Sequence, residues 1–306
     1  MKKNKITIVG AGMVGSTTAY SLIAANLCEE IALIDLDKKM VRSQVMDLQH
    51  SVPFWGYTKI KMGNYEDLRD SKIVVIACGA AQKVNETRLD LVNKNALIIK
   101  NIIPRIFEEN KDIIVIMVAN PVDVLTYLAV SAFPKRKNQI IGSGTTLDSA
   151  RFRFMLGEYL KVNPQSILAY IVGEHGYSEV PLWSTISIGN TNIDAFKKIP
   201  ASVKKKIFES AKNAAYAIIE GKQATYYAIA AGVSELSKAI LFDKKTVFSV
   251  SHLIEGEYGI KNVCFSLPVV VGRKGIIRKI KIKVSAEEKK LLQKSAEKLK
   301  QVIKTL

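Results

Sequence analysis

Short, unbroken apolar runs alternate with longer stretches of helical period through the first half of the chain. Residues 6–9 read as a strand and 13–25 as a helix; 31–34 are a second strand and 39–48 a helical pattern. Residues 73–78 form another apolar strand, 88–107 a long helix and 113–118 a further strand. Pro121 fits the first turn of the next helix, where its missing N–H costs nothing. Apolar strands each followed by a helix are the mark of a parallel sheet covered on both faces. After Ser143 the pattern changes. Residues 146–160, 202–219 and 224–241 look helical, and 167–172 make a short strand. Strand-like stretches follow at 246–250, 263–271 and 276–284, the last alternating Ile and Lys as in a hairpin with one solvated face. Ser285 and Glu288 form a capping box for a final helix whose apolar side is Leu291, Leu292, Leu299 and Ile303. The expected fold is α/β: a doubly wound parallel sheet in residues 1–143, then an α+β substrate domain in 144–306.

Composition narrows the class. The 306 residues are 48% hydrophobic and 24% charged, which supplies one or two proper cores and argues against disorder. The cysteines, Cys28, Cys78 and Cys264, are odd in number and not at metal-ligand or redox spacing, so the expectation is a reducing compartment, no disulfide framework and no metal. Cys78, inside an apolar run, reads as a small buried hydrophobe. The basic start, Met1-Lys2-Lys3-Asn4-Lys5, leads into an apolar stretch too short for a signal peptide, and no run reaches membrane-spanning length. A soluble cytoplasmic protein without a membrane partner is expected. The net charge is +17, and residues 273–306 carry 12 Lys plus Arg against 3 Asp plus Glu. That segment has no Phe, Tyr or Trp to interleave with its charges, so it reads as a solvated basic face rather than a nucleic-acid surface. An overall positive field still helps to recruit anionic substrates.

Gly10-Ala11-Gly12-Met13-Val14-Gly15 fits G-x-G-x-x-G, a weak pattern alone. Here it follows a strand, opens a helix and precedes a second strand ending Leu33-Ile34-Asp35, the context of a Rossmann-type dinucleotide site. Gly10 permits the tight turn, Gly12 lets backbone approach a pyrophosphate, and Gly15 lets helix and strand pack closely. Asp35 can accept from both ribose hydroxyls and would repel a 2′-phosphate, which favours NAD over NADP. His175 stands between glycines in Gly173-Glu174-His175-Gly176; a lone histidine is as readily structural as functional. Asp148 and Arg151 lie three apart on one helix face, as an ordinary salt bridge would. In a functional reading Asp148 orients a ring nitrogen of His175, and Arg151 clamps a substrate carboxylate with its planar fork. His50 and His252 have no comparable setting.

Several segments together resemble the lactate/malate dehydrogenase superfamily, its bacterial L-lactate dehydrogenases in particular. They are the Gly10–Gly15 turn, Ala80-Ala81-Gln82, Glu86-Thr87-Arg88-Leu89, Val118-Ala119-Asn120-Pro121, Leu147-Asp148-Ser149-Ala150-Arg151, Gly173-Glu174-His175-Gly176 and Ala224-Thr225-Tyr226-Tyr227. They span nearly the whole chain in order. The resemblance implies reversible hydride transfer between NADH and pyruvate, giving L-lactate and NAD. It implies cofactor contacts at Gly10, Gly12, Met13, Val14, Gly15, Asp35, Gly79, Ala80 and Asn120. It casts His175 as proton donor and acceptor with Asp148 as partner, Arg151 as carboxylate clamp, and Arg88 as the lid arginine that polarises the carbonyl. Asn120 hydrogen-bonds near that oxygen, and Thr225 walls the substrate. Residues 80–88 form the expected lid. Gln82 stands where malate dehydrogenases carry an arginine for the second carboxylate; a dicarboxylate here would bury an unpaired charge, which favours pyruvate over oxaloacetate.

The pattern also departs from that family. Tyr177 replaces a usual aspartate, and Val84-Asn85 a common Pro-Gly. Arg153 matches one residue of a sugar-bisphosphate site at a subunit interface, whose histidine position is Leu168, so strong activation by fructose 1,6-bisphosphate is not expected and a residual anion site at Arg153 stays open. The resemblance further implies a homotetramer acting in glycolysis and fermentation. Competing readings are a malate or other 2-hydroxy acid dehydrogenase, a silent dinucleotide binder and, from the charge alone, a nucleic-acid binder.

Overall fold

The structure, a computed structural model, describes residues 4–80 and 88–306, and for Arg88 and Leu89 the main chain alone. Strand β1 (Lys5–Val9), helix α1 (Met13–Ala24), β2 (Glu30–Ile34), α2 (Lys38–Trp55) and β3 (Lys59–Met62) make one winding. The other is β4 (Ile73–Ile76), α3 (Arg88–Glu109), β5 (Ile114–Met117), α4 (Val122–Ala132) and β6 (Ile140–Gly142). In space the strands run β3-β2-β1-β4-β5-β6, all parallel. The order reverses between β1 and β4, which opens a crevice at their carboxyl ends.

The strands lack polar alternation because both faces are covered. Ile73 and Val75 of β4 and Ile114 and Ile116 of β5 pack on the α1–α2 side, with Leu22, Ile23, Val41 and Val45. Val74, Ile76, Val115 and Met117 turn to the other side, against Ile99, Ile103, Ile106 and Leu125 of α3 and α4. Each such side chain, fully buried, contributes roughly 2 kcal/mol of transfer free energy.

The second half continues with α5 (Thr146–Leu160), the two-residue strands β7 (Ile167–Leu168), β8 (Ile171–Val172), β9 (Val180–Pro181), β10 (Ser187–Ile188) and β11 (Thr191–Asn192), and the single turn α6 (Ile193–Phe196). Then come α7 (Ala201–Lys222), α8 (Tyr227–Leu241), β12 (Thr246–Glu255), β13 (Lys261–Gly272), β14 (Gly275–Lys279) and α9 (Ala286–Ile303). Strands β12, β13 and β14 form an antiparallel meander. β12 meets β6 at Ser251 and Gly142, so the described sheet extends to nine strands.

The α/β expectation holds, with local corrections. The strand expected at 167–172 is broken, because β7 pairs with β10 while β8 turns to β9. The strand expected to reach 284 ends at Lys279. Ile280 still donates to the carbonyl of Pro268 (3.2 Å), but Pro268 has no N–H to return, and the ladder stops. Leu291 is 41% exposed, so the buried side of α9 is carried by Leu292, Ala296 and Leu299. The capping box is present: Ser285 Oγ accepts from Glu288 N (3.1 Å), and Glu288 Oε2 accepts from Ser285 N (2.7 Å).

Candidate active site

The glycine turn lies between β1 and α1, beside the carboxyl end of β4. Gly10 sits at φ +107°, and a Cβ there would fall 2.5 Å from the main-chain nitrogen of Cys78. A Cβ on Gly15 would overlap the carbonyl oxygen of Gly10, so helix and turn touch backbone to backbone. A Cβ on Gly12 would meet nothing within 4 Å, which leaves the outer side of the turn open. Helix α1 starts at Met13 without a side-chain cap, so its first N–H groups have no acceptor within the helix. Bare N–H donors, an open backbone and a positive helix end make a cradle that fits a pyrophosphate. Met13 is exposed and Val14 half-buried at its lip. Asp35 follows β2; its Oδ2 accepts from Ala11 N (2.8 Å) and its Oδ1 from Asp37 N (3.2 Å). The carboxylate is thus tied to the turn and still has lone pairs for a ribose diol.

The opposite wall is built from the ends of β4 and β5. Asn95 Oδ1 accepts from Ala80 N (2.7 Å), and Asn95 Nδ2 donates to the carbonyl of Asn120 (2.8 Å). Asn95, absent from the sequence expectations, therefore joins Gly79-Ala80 to Asn120-Pro121, a cis peptide. It is 3% exposed on α3, and both ends of its amide are bonded to these loops. Three residues past Asn120, in the first turn of α4, Asp123 Oδ2 accepts the main-chain N–H of His175 at 2.7 Å.

That contact brings the second half onto the crevice. His175 follows β8, and its Nδ1 lies 2.6 Å from Asp148 Oδ2. The other carboxylate oxygen, Asp148 Oδ1, accepts from Arg151 Nη1 at 3.0 Å. One carboxylate thus serves both the arginine on its helix and the histidine on the loop. Asp148 is almost wholly buried, while the imidazole keeps 26% of its surface. Burial alone would pull the His175 pKa down. The charge and hydrogen bond of Asp148, with Asp123 and Glu179, outweigh it and push it up to about 9. Burial likewise opposes ionisation of Asp148, but His175 and Arg151 hold it below the usual carboxylate value.

A buried hydroxyl network fixes α5 against β8. Thr145, Ser149 and Ser249 all donate to the carbonyl of Ile171 (2.6, 3.2 and 2.9 Å), and Ser149 Oγ accepts from Ile171 N at 3.0 Å. Helix α9 braces the loop from outside, with Ser295 Oγ accepting from Glu174 N at 2.9 Å. Glu179 is a further buried carboxyl near the cluster. Burial and the charge of Asp148 push its pKa up to about 8, against the pull of His175, Lys212 and Arg151.

The remaining expectations divide. Thr225 is half-buried in the turn before α8, which begins only at Tyr227 because Gln223 ends α7 in the left-handed region at φ +69°. Arg88 opens α3 with its main chain, and its side chain lies outside the described residues, as do Gln82, Val84-Asn85 and the body of the expected lid. Arg153 is half-buried on α5, where burial lowers its pKa against the neighbouring Tyr170, and Leu168 is 56% exposed on β7. Tyr177 is 56% exposed, and its carbonyl accepts from Lys212 Nζ of α7 at 2.6 Å; nothing in the structure explains its replacing an aspartate. His252 is buried, with Nδ1 2.9 Å from the carbonyl of Val250, and its pKa is pulled to about 4 by burial. His50 is exposed. Cys28 and Cys264 are buried, Cys78 only partly.

The chain resembles known proteins over its whole length. The chain is 47% identical to an L-lactate dehydrogenase of Acetivibrio thermocellus, with 99% of this chain and 97% of the relative covered. It is 43% identical over the whole of both chains to L-lactate dehydrogenase 1 of Clostridium acetobutylicum. Among solved structures, a minor L-lactate dehydrogenase from Enterococcus mundtii, crystallised in a ligand-bound form, superposes with a TM-score of 0.96 at 34% identity, covering 100% and 99% of the two chains. Residues 4–142 match the NAD binding domain of lactate/malate dehydrogenases and residues 145–306 their alpha/beta C-terminal domain, so the chain belongs to the lactate/malate dehydrogenase family.

Proposed function

We propose that this chain interconverts pyruvate and L-lactate with NADH and NAD, using His175 as the acid and base. The observation that carries the reading is the shared carboxylate of Asp148, with one oxygen on His175 Nδ1 and the other on Arg151. When bound, the nicotinamide supplies or accepts the hydride. The chain's own residues handle the proton and the charge. Because Asp148 holds Nδ1, Nε2 is the nitrogen left to give a proton to the substrate oxygen in reduction and to take it back in oxidation. Arg151 offers the unused part of its fork to the substrate carboxylate. Asn120, tied by Asn95, lies at the mouth of β5 to bond near the reacting oxygen, and Thr225 limits the side-chain end. Arg88 as carbonyl polariser and Gln82 as selector for a neutral side chain enter from the sequence resemblance. The glycine cradle and Asp35 hold the cofactor's pyrophosphate and ribose.

The boundary near Ser143 belongs to the same proposal; it falls where β6 ends and the chain turns into α5. So does a cytoplasmic homotetramer serving fermentation and glycolysis. The three free cysteines and the exposed Phe54, Trp55 and Tyr227 on α2 and α8 support it.

A substrate panel tests the reading. Purified protein with NADH should reduce pyruvate well ahead of oxaloacetate and 2-ketoisocaproate, with little response to fructose 1,6-bisphosphate. His175→Asn should abolish turnover while NADH binding, followed by nicotinamide fluorescence, stays close to wild type. Preference for oxaloacetate would move the assignment to malate; lost NADH binding in a folded variant would remove His175 from its role.

A further inference from the structure

We propose that Asp123 is a positioning residue for the reaction: its carboxylate grips the main-chain N–H of His175 and sets a buried negative charge against the imidazole. The inference rests on His175 being the acid and base. It starts from a contact that ordinary packing does not require. Asp123 is 2% exposed in the first turn of α4, and its Oδ2 receives the His175 N–H at 2.7 Å across 52 residues of chain. Its other oxygen, Oδ1, faces the buried hydroxyl of Ser251 on β12, which favours the ionised carboxyl although the pair is not a well-aligned hydrogen bond among the described residues.

An asparagine of the same shape would accept the N–H equally well through its amide oxygen. Its NH2 would face the Ser251 hydroxyl, which can accept from it. Retaining an acid in a dry site, where burial opposes its charge, is costly unless that charge is used. The groups facing it identify the use. Cys264 of β13 and Glu174 of the loop offer no positive charge; the Ser251 hydroxyl and the His175 N–H favour its ionised form, and His175 is the cation that adds to them. In return Asp123 adds to Asp148 in raising the proton affinity of His175, with Arg151 on α5 and Glu179 before β9 completing the charged surroundings of the ring. Burial pushes the Asp123 pKa up to about 6, so the carboxylate is largely ionised at neutral pH.

Two aspartates thus hold one residue at two points, Asp148 at the ring and Asp123 at the main chain. The first sets the tautomer. The second holds the main chain of His175 against the first turn of α4 and adds to the negative charge that favours the protonated imidazole.

The test separates charge from register and does not depend on turnover. The three histidines of the unliganded protein are 15N-labelled, and the His175 ring is titrated by NMR in wild type, Asp123→Asn and Asp123→Ala. Asp123→Asn keeps the N–H acceptor and removes the charge, so His175 should titrate lower by about one pH unit. Asp123→Ala removes both, and kcat for pyruvate should fall roughly tenfold below that of Asp123→Asn with little change in KM for NADH. A purely structural role would lower the melting temperature of both variants and leave the His175 titration at its wild-type position, which overturns the proposal. If Asp123→Ala does not fold, Asp123→Asn decides alone. A wild-type protein that does not turn over pyruvate would sink the functional reading, yet the titration would still report on the Asp123–His175 coupling.

Discussion

His175 combines two opposing pressures, a buried ring that resists charge and carboxylates that demand it. With its pKa pushed up to about 9 from an ordinary 6.5, the imidazole is protonated through neutral pH. The sign of the pH dependence follows. Pyruvate reduction consumes the protonated form, so its rate should be flat near neutrality and fall as pH rises through about 9. Lactate oxidation needs the neutral form and should climb over the same range. The matching stability is fully present below 6.5 and is lost as pH rises through about 9. Initial rates in both directions from pH 6 to 10 check this, and parallel profiles would contradict it. His175, Asp148 and Arg151 were recognisable in the sequence because each sits in a distinctive short motif. Asn95, Asp123 and Glu179 were not. Their side chains act on main-chain atoms or through burial beside distant charges, and neither leaves a mark in local spacing. Asp123 did stand at the end of Asn120-Pro121-Val122-Asp123, where an acid in the first turn of an apolar helix was a usable signal.

At the scale of elements, helices with a clear period and a chemical start were foreseen closely, whereas short strands were missed. Helix α5 spans the expected residues, and α9 begins at the expected box. Strands β3, β6 and β9–β11 have two to four residues each, too few for any period; β3 and β6 pair with the longer β2 and β5, while β9–β11 pair with strands as short as themselves. The α9 box has a second duty that gives a prediction. Glu288 also accepts from Ser184 N at 3.0 Å and from Ser184 Oγ at 2.5 Å, which pins the chain beyond β9 to the helix start. Ser285→Ala removes one cap and should cost about 1 kcal/mol. Glu288→Ala also strands the Ser184 donors and should cost about 2–3 kcal/mol. Urea unfolding of the two variants measures both; equal losses would show that the Ser184 contacts add nothing.

For the whole molecule the charge excess is the property with a kinetic consequence. Exposed Lys289, Lys290, Lys294 and Lys298 line α9, the helix whose Ser295 braces the histidine loop, so part of the +17 lies on an element packed against the site. An anionic keto acid should be drawn in by this field. Raising salt from about 20 to about 200 mM should lower kcat/KM for pyruvate severalfold and leave kcat nearly unchanged. A flat kcat/KM would show that the basic face does not reach the substrate.

The amino-acid order alone determined the class of fold and the dinucleotide turn, and it marked the candidate reacting side chains, because these depend on local periodicity and on motifs a few residues long. Only the tertiary structure decided that β12–β14 prolong the first-half sheet, that one Asp148 carboxylate serves two partners, and that Asp123 reaches the main chain of His175. Those outcomes depend on which distant surfaces meet when both faces of the sheet are buried, and chain spacing carries no record of that.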